Sequence, residues 1–281
     1  VAAAVAATFP FRTDGENMRV VFIGDIVGNV GRDTVRRLIP WINDKYHPHI
    51  IIANGENAAG GRGITASITR ELFECGVHGI TMGNHTWDNR EIFEFIDDEP
   101  RMIRPSNLAP GTPGRGSMII KANGKSLGVV NLIGRTFLPP AEDPFRTADE
   151  EIEQLRRTTK CILVDFHAEA TSEKVAIGWH LDGYASLLVG THTHVQTNDA
   201  RILPEGTAYV TDAGMTGPRD GVLGMEKEAV VRRFLTGLPA RFTVAEGKWA
   251  LNGVYAELDE STGKAQKVQL ISVDEDSWIA T

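Results

Sequence analysis

The sequence predicts an α/β protein in which two sheets pack face to face with helices outside, and three observations carry that reading. Five short apolar runs rich in β-branched residues, at 18–25, 49–56, 79–85, 161–167 and 185–192, have the composition of buried parallel strands. Helix-like stretches at 33–46, 65–74, 89–98, 150–159 and 172–183 separate or follow them. The second half of the chain adds hairpin signals, which an all-parallel barrel would not need.

In chain order, the first three runs alternate with the first three helical stretches, a βαβαβα opening. A Gly/Pro loop follows Asn107. Segments 117–122 and 125–133 then flank Asn123-Gly124, the dipeptide best suited to a two-residue hairpin turn. The helical stretch 150–159, the run 161–167, the stretch 172–183 and the run 185–192 continue the α/β pattern. Segments 241–245, 251–258 and 266–273 read as antiparallel strands, the last two joined through Glu260-Ser261-Thr262-Gly263. Residues 18–281 therefore form one domain, a size that open α/β folds reach as a single unit. Residues 1–17 are Ala/Val-rich, and their Arg12 follows the apolar run where a signal peptide would place a basic residue before it. They read as a non-native extension without chemistry.

Composition narrows the function classes. The 281 residues are 42% hydrophobic, and 29 basic against 37 acidic side chains give a formal charge of −8. That sign disfavours long polyanions such as duplex DNA, whereas a small phosphate ester can still be held by a local cluster of cations. Cys75 and Cys161 are too few for a disulfide framework and read as reduced structural residues of a cytoplasmic protein. No apolar run approaches the ~18 residues of a membrane span. Oligomeric state is open, a homo-oligomer among the options.

The chemistry lies where the apolar runs end: at Asp25, at Glu56-Asn57, at Asn84-His85, at His167, and at His192 with His194. In sheets of this kind ligands bind beyond the carboxyl ends of the strands. All five endings lie on that side, which would bring eight nitrogen- or oxygen-bearing side chains to one edge of one sheet. Two divalent ions about 3.5–4 Å apart, with a bridging hydroxide, can clamp the oxygens of a phosphoryl group during in-line displacement. Glu56 is placed to bridge such a pair. Asp25, Asn57 and His194 would complete one metal, and Asn84, His167 and His192 the other. Asn57 has a competing use as a cap of the Gly-rich loop after it. In extended backbone, residues i and i+2 point the same way, so His192 and His194 would both face the cluster. His85, displaced from Asn84 to the other side of the turn, is free to protonate a leaving oxygen, work that suits an imidazole. His47, His49, His78 and His180 lack paired ligands and read as structural.

These motifs resemble the calcineurin-like metallophosphoesterases. The spellings Gly24-Asp25-Ile26-Val27-Gly28, Asn54-Gly55-Glu56-Asn57 and Gly190-Thr191-His192-Thr193-His194 are most similar to the YmdB-like branch, and the resemblance runs from Met18 to the C-terminus. It implies an αββα sandwich of two mixed sheets flanked by helices, a dinuclear metal site, phosphodiesterase activity on 2′,3′-cyclic nucleotides, and a general-acid role for His85. Three departures from the wider superfamily stand out. Val27 occupies the second place of the usual Asp-x-His, with Asn57 as the natural substitute; Glu56 stands where the bridging residue is usually Asp; and Thr86 follows His85 in place of Glu. The oxygen-richer first site moves the expectation toward iron or manganese, with zinc still admissible.

Three further residues are candidate substrate contacts. Arg62, in Gly60-Gly61-Arg62-Gly63, would contact a phosphate if that loop cradles one, although a plain surface loop explains the glycines equally well. Arg135 and Phe137 follow a strand, and the ring of Phe137 either reaches a nucleobase or packs. Two rival functions compete with hydrolysis. Gly24-x-x-x-Gly28-x-x-Gly31 has too long a first gap for a dinucleotide-binding fingerprint. A catalytically idle metal- or nucleotide-sensing regulator on the same fold would have no need of His85.

Overall fold

The computed structural model describes residues 17–279. The expected extension therefore lies outside the described residues, apart from Asn17, which opens the first strand opposite Asp259. In order, the elements begin with β1 (Asn17–Ile23), β2 (Asp25–Ile26), α1 (Gly28–Tyr46), β3 (Ile50–Asn54), α2 (Ala66–Glu74), β4 (Gly79–Thr81) and β5 (Met102–Ile103). There follow β6 (Ser117–Ala122), β7 (Lys125–Ile133), α3 (Pro144–Leu155), β8 (Ile162–His167), α4 (Thr171–His180) and β9 (Leu187–Thr191). The chain continues with β10 (Arg201–Ile202), β11 (Ala208–Val210), β12 (Met215–Pro218), α5 (Lys227–Thr236), β13 (Trp249–Asp259), β14 (Ala265–Asp274) and α6 (Glu275–Ile279).

Among the described residues there are two sheets. The first runs β2-β12-β13-β1-β3-β4-β5 with β14 beside β13, and the second runs β10-β11-β9-β8-β7-β6. β1, β3, β4 and β5 are parallel, as are β7, β8, β9 and β11, while hairpin strands supply the antiparallel edges. Both sheets are thus mixed, as expected for an αββα sandwich.

Strand periodicity explains the layering. On β1, Met18, Val20 and Phe22 face the second sheet, where they meet Leu127, Val129, Leu163 and Val189. The alternate residues Val21 and Ile23 face Val35, Leu38, Ile39 and Ile42 of α1. On β8 the order is the same: Leu163 points inward, while Ile162, Val164 and Phe166 pack under α3 and α4.

Several expected boundaries move. Helix α1 starts at Gly28, ahead of the expected Asp33. The stretch expected at 150–159 is α3, shifted toward the N-terminus because Asp143 caps it through the N–H groups of Phe145 and Arg146 and Pro144 preorganises its first turn. The stretch 89–98 is only a 3₁₀ turn over Arg90–Glu94, capped by Asn89. Segment 241–245 is no strand; Val244 makes one isolated bridge to Met225. The Asn123-Gly124 hairpin is present, with φ of 51° and 74° at the two turn residues, as a type I′ turn requires.

Candidate metal centre

The eight candidate residues gather, but across two sheets rather than at the edge of one. Asp25, Glu56-Asn57 and Asn84-His85 lie at or beyond the carboxyl ends of first-sheet strands, whereas His167 ends β8 and His192 and His194 follow β9 of the second sheet. The sheets pack face to face with those ends side by side.

His167 is the hub. Its Nε2 lies 2.9 Å from Asn84 Oδ1, 3.0 Å from His192 Nδ1 and 3.2 Å from Glu56 Oε1. Glu56, His167 and His192 each offer a ligand atom within 4.8 Å of the other two. A second set adjoins it: His194 Nε2 is 3.9 Å from Asp25 Oδ1 and 3.2 Å from Asn57 Nδ2, and that amide is 3.1 Å from Glu56 Oε1. Turned over, the Asn57 amide would offer its oxygen at the same place. Glu56 belongs to both sets, and its Oε2 accepts the His85 N–H at 3.0 Å. No side chain larger than hydrogen fits at position 83, since a Cβ there would lie 2.4 Å from Glu56 Oε2 and 2.5 Å from the His167 ring.

The donor set fits divalent cations. Asp25 is wholly buried, and its Oδ1 has no hydrogen-bond partner. A buried carboxylate oxygen left bare is costly unless a cation meets it. Burial drives the Asp25 carboxyl up to about 7 despite the nearby His194 and His167. Burial alone would raise Glu56 and lower His167, but their mutual attraction holds Glu56 at about 2 and carries His167 to about 9. Burial and the His167 charge push His192 down to about 3, keeping it neutral as a ligand must be.

Groups beyond the predicted set orient the ligands. The Thr191 hydroxyl donates to Asp165 Oδ1 at 2.7 Å and so accepts from His167 Nδ1 at 2.9 Å, which leaves Nε2 for the cluster. Glu169 takes the Nε2 side of His192 at 3.0 Å, leaving its Nδ1 inward. Asp212 receives the N–H and hydroxyl of Thr193, between the two histidines, and is neutralised by buried Lys174 at 2.7 Å. The expected extended His-x-His geometry is absent: φ is 96° at His192 and 65° at His194. The rings converge because Asp212 and the Leu223 carbonyl, 3.0 Å from His194 Nδ1, hold a left-handed turn.

A cavity of about 530 Å³ opens over the cluster, and Glu56, Asn57, Arg62, His85, Glu169, His192 and His194 line its metal side. Gly61 packs the Gly-rich loop flush against the far side, where a Cβ would lie 2.8 Å from Val244. His85 Nδ1 meets Asp88 Oδ2 at 2.9 Å, and Arg62 stands 3.9 Å from the same oxygen. Arg135 and Phe137 are not among the residues lining this cavity; Arg135 faces Asp143 at 3.8 Å, and Phe137 is 89% exposed rather than packed. Of the lone histidines, His49 and His78 accept the N–H groups of Arg19 and Ile51.

The family description "YmdB-like protein" matches residues 21–271, the stretch that carries every candidate ligand above. The chain belongs to the YmdB-like family. It is 58% identical over 259 residues to the 2′,3′-cyclic-nucleotide 2′-phosphodiesterase of Bacillus subtilis strain 168, covering 92% of this chain and 98% of the relative. Two solved structures share the fold with a TM-score of 0.86. One, from Thermus thermophilus, is 43% identical and covers 92% of this chain and 100% of its own. The other, described as a novel phosphatase from Mycoplasma pneumoniae, is 36% identical and covers 92% and 94%. The YmdB-like spelling at the first motif, with Val27 and Asn57, thus goes with two mixed sheets flanked by helices.

Proposed function

We propose that this chain is a metal-dependent phosphodiesterase that opens 2′,3′-cyclic nucleotides. The observation that carries the reading is near full-length similarity to the Bacillus subtilis enzyme of that description, and the site offers a physical basis for it. Glu56, shared between two donor sets, suits a pair of divalent ions: one held with Asp25, Asn57 and His194, the other with Asn84, His167 and His192. Iron or manganese best matches the oxygen-rich first set, and zinc is also admissible. When bound, the ions would activate the attacking nucleophile at neutral pH and offset charge on the phosphoryl oxygens.

The chain's own groups do the rest. His85 lines the cavity without joining the donor cluster, and Asp88 occupies its Nδ1, so Nε2 is the atom presented to a leaving oxygen. In an in-line displacement the leaving oxygen departs away from the entering nucleophile, and His85 would supply the proton it needs. Arg62, on the rim, would pair with a phosphate oxygen. A sensing role without turnover would leave His85 and its partner Asp88 without a use. The unpaired Cys75 and Cys161 fit a reducing cytoplasm, and no helix among the described residues is long and apolar enough to cross a membrane.

The test is turnover after chelation and after readdition of Mn²⁺, over cyclic nucleotides, linear diesters and phosphomonoesters. Activity should vanish, return with the metal, and favour the cyclic diesters. Full activity in stripped protein, or a tenfold preference for monoesters, would overturn the proposal.

A further inference from the structure

We infer that the wall facing the metal centre across its cavity is a base-stacking platform, formed by Phe234 and Phe242 with Arg233, that accepts the nucleobase of the substrate with little regard to its identity. The inference deepens the proposed function and rests on that reading for the nature of the substrate.

Helix α5 presents Val230, Arg233 and Phe234 to the cavity, at the i, i+3, i+4 spacing of one helical stripe. Phe242 joins them from the segment after the helix, and the Arg233 guanidinium carbon lies 5.3 Å from its ring centroid. Phe234 is 85% exposed. A ring of that size left in water beside an active site is the kind of surface that a ligand covers.

The wall is braced rather than loose. Glu226 donates its N–H to the Thr243 carbonyl at 2.9 Å and accepts the Thr243 hydroxyl at 2.6 Å, while Met225 bridges to Val244. It is also joined to the metal centre, because the Leu223 carbonyl that fixes His194 belongs to the same segment. A substrate phosphate at the cluster would therefore carry its base toward a wall at a set distance.

The chemistry of the wall matches a base better than a second phosphate or a peptide. The carboxylates of the cavity, Glu56 and Glu169, sit at the metal end, and the opposite wall offers apolar surface, two rings and one guanidinium. The cavity of about 530 Å³ falls within the roughly 300–1,000 Å³ typical of small-molecule sites and exceeds the needs of a bare cyclic phosphate. Every nucleobase has a π-face, and a wall with few edge-reading donors stacks all of them. Arg233 can add a cation–π contact from its place over Phe242.

The experiment uses the metal-loaded full chain and two readouts. Calorimetry compares binding of adenosine monophosphate with ribose 5-phosphate, and kinetics compares kcat/KM for the four nucleoside 2′,3′-cyclic phosphates with ribose 2′,3′-cyclic phosphate. In wild type the nucleosides should win by tenfold or more, with less than about tenfold spread among bases. Phe234→Ala and Phe242→Ala should each shrink the nucleoside-to-ribose ratio about tenfold in both readouts, and Phe242→Tyr, which keeps the ring, should preserve it. Equal preference for ribose and nucleoside ligands in wild type, or an unchanged ratio in both alanine variants, overturns the platform. Binding that requires the presence of a base and is weakened in both alanine variants, in a protein with no cyclic-phosphate turnover, supports the platform and overturns the hydrolase reading instead.

Discussion

His85 Nδ1 lies 2.9 Å from Asp88 Oδ2, three residues along the same turn. This contact orients the ring of a histidine that lines the cavity without joining the donor cluster, and on the proposed mechanism it makes Asp88 a positioning residue.

His85→Ala should keep its metal and lose turnover by roughly 10²–10⁴. The loss should be smaller for a nitrophenyl diester, whose leaving group departs without a proton. Asp88→Asn should give a smaller fall with the same leaving-group dependence. The measurements are metal content and kcat on both substrates; metal loss in His85→Ala, or equal slowing on both, would reassign the residue as a ligand.

Glu56→Gln removes charge shared by both donor sets, so metal content should fall toward zero at both positions. Asn57→Ala touches one set and should lower occupancy mainly there. Stoichiometry by elemental analysis separates the two, and two ions per chain in purified Glu56→Gln would show that the bridge lies elsewhere.

Thr191→Val deletes the hydroxyl that accepts a hydrogen bond from His167 Nδ1–H and donates one to Asp165 Oδ1. Metal affinity should weaken by about 10–100-fold, and Thr191→Ser should restore it. Affinity titrations report the effect without any assay of turnover. Wild-type affinity in Thr191→Val would mean that β-strand packing alone orients His167.

Metal loading should expel protons. In the metal-free protein His167 is held up at about 9 and Asp25 at about 7, so at pH 7 His167 is protonated and Asp25 about half so, and a metal must displace the protons they hold. Because both values are raised, apparent affinity should strengthen as pH climbs through about 7 and on to about 9, and weaken as pH falls back through the same range. Calorimetry in buffers of different ionisation enthalpy counts the protons; a count of zero at pH 7 would contradict the assignment.

The amino-acid sequence by itself determined the two-sheet sandwich and singled out the candidate ligands. Near-continuous apolar runs such as 18–25 and 161–167 specify strands buried on both faces, and a polar residue at the end of each run is the local signature of a site. The Asp88 brace on His85 is equally local, three residues along one turn. What the sequence did not decide is how the strand ends meet. The same period of two that buries Leu163 puts Asp165 and His167 on the inner face, where Asn54 and Thr81 of the first sheet reach Asp165 across the gap. Those partners stand 111 and 84 residues away along the chain, so only the packing of one sheet on the other could pair them. The left-handed turn at His192 and His194 and the placing of the α5 aromatic wall opposite the metal centre have the same origin. Each depends on a contact between segments whose local sequence carries no trace of the other.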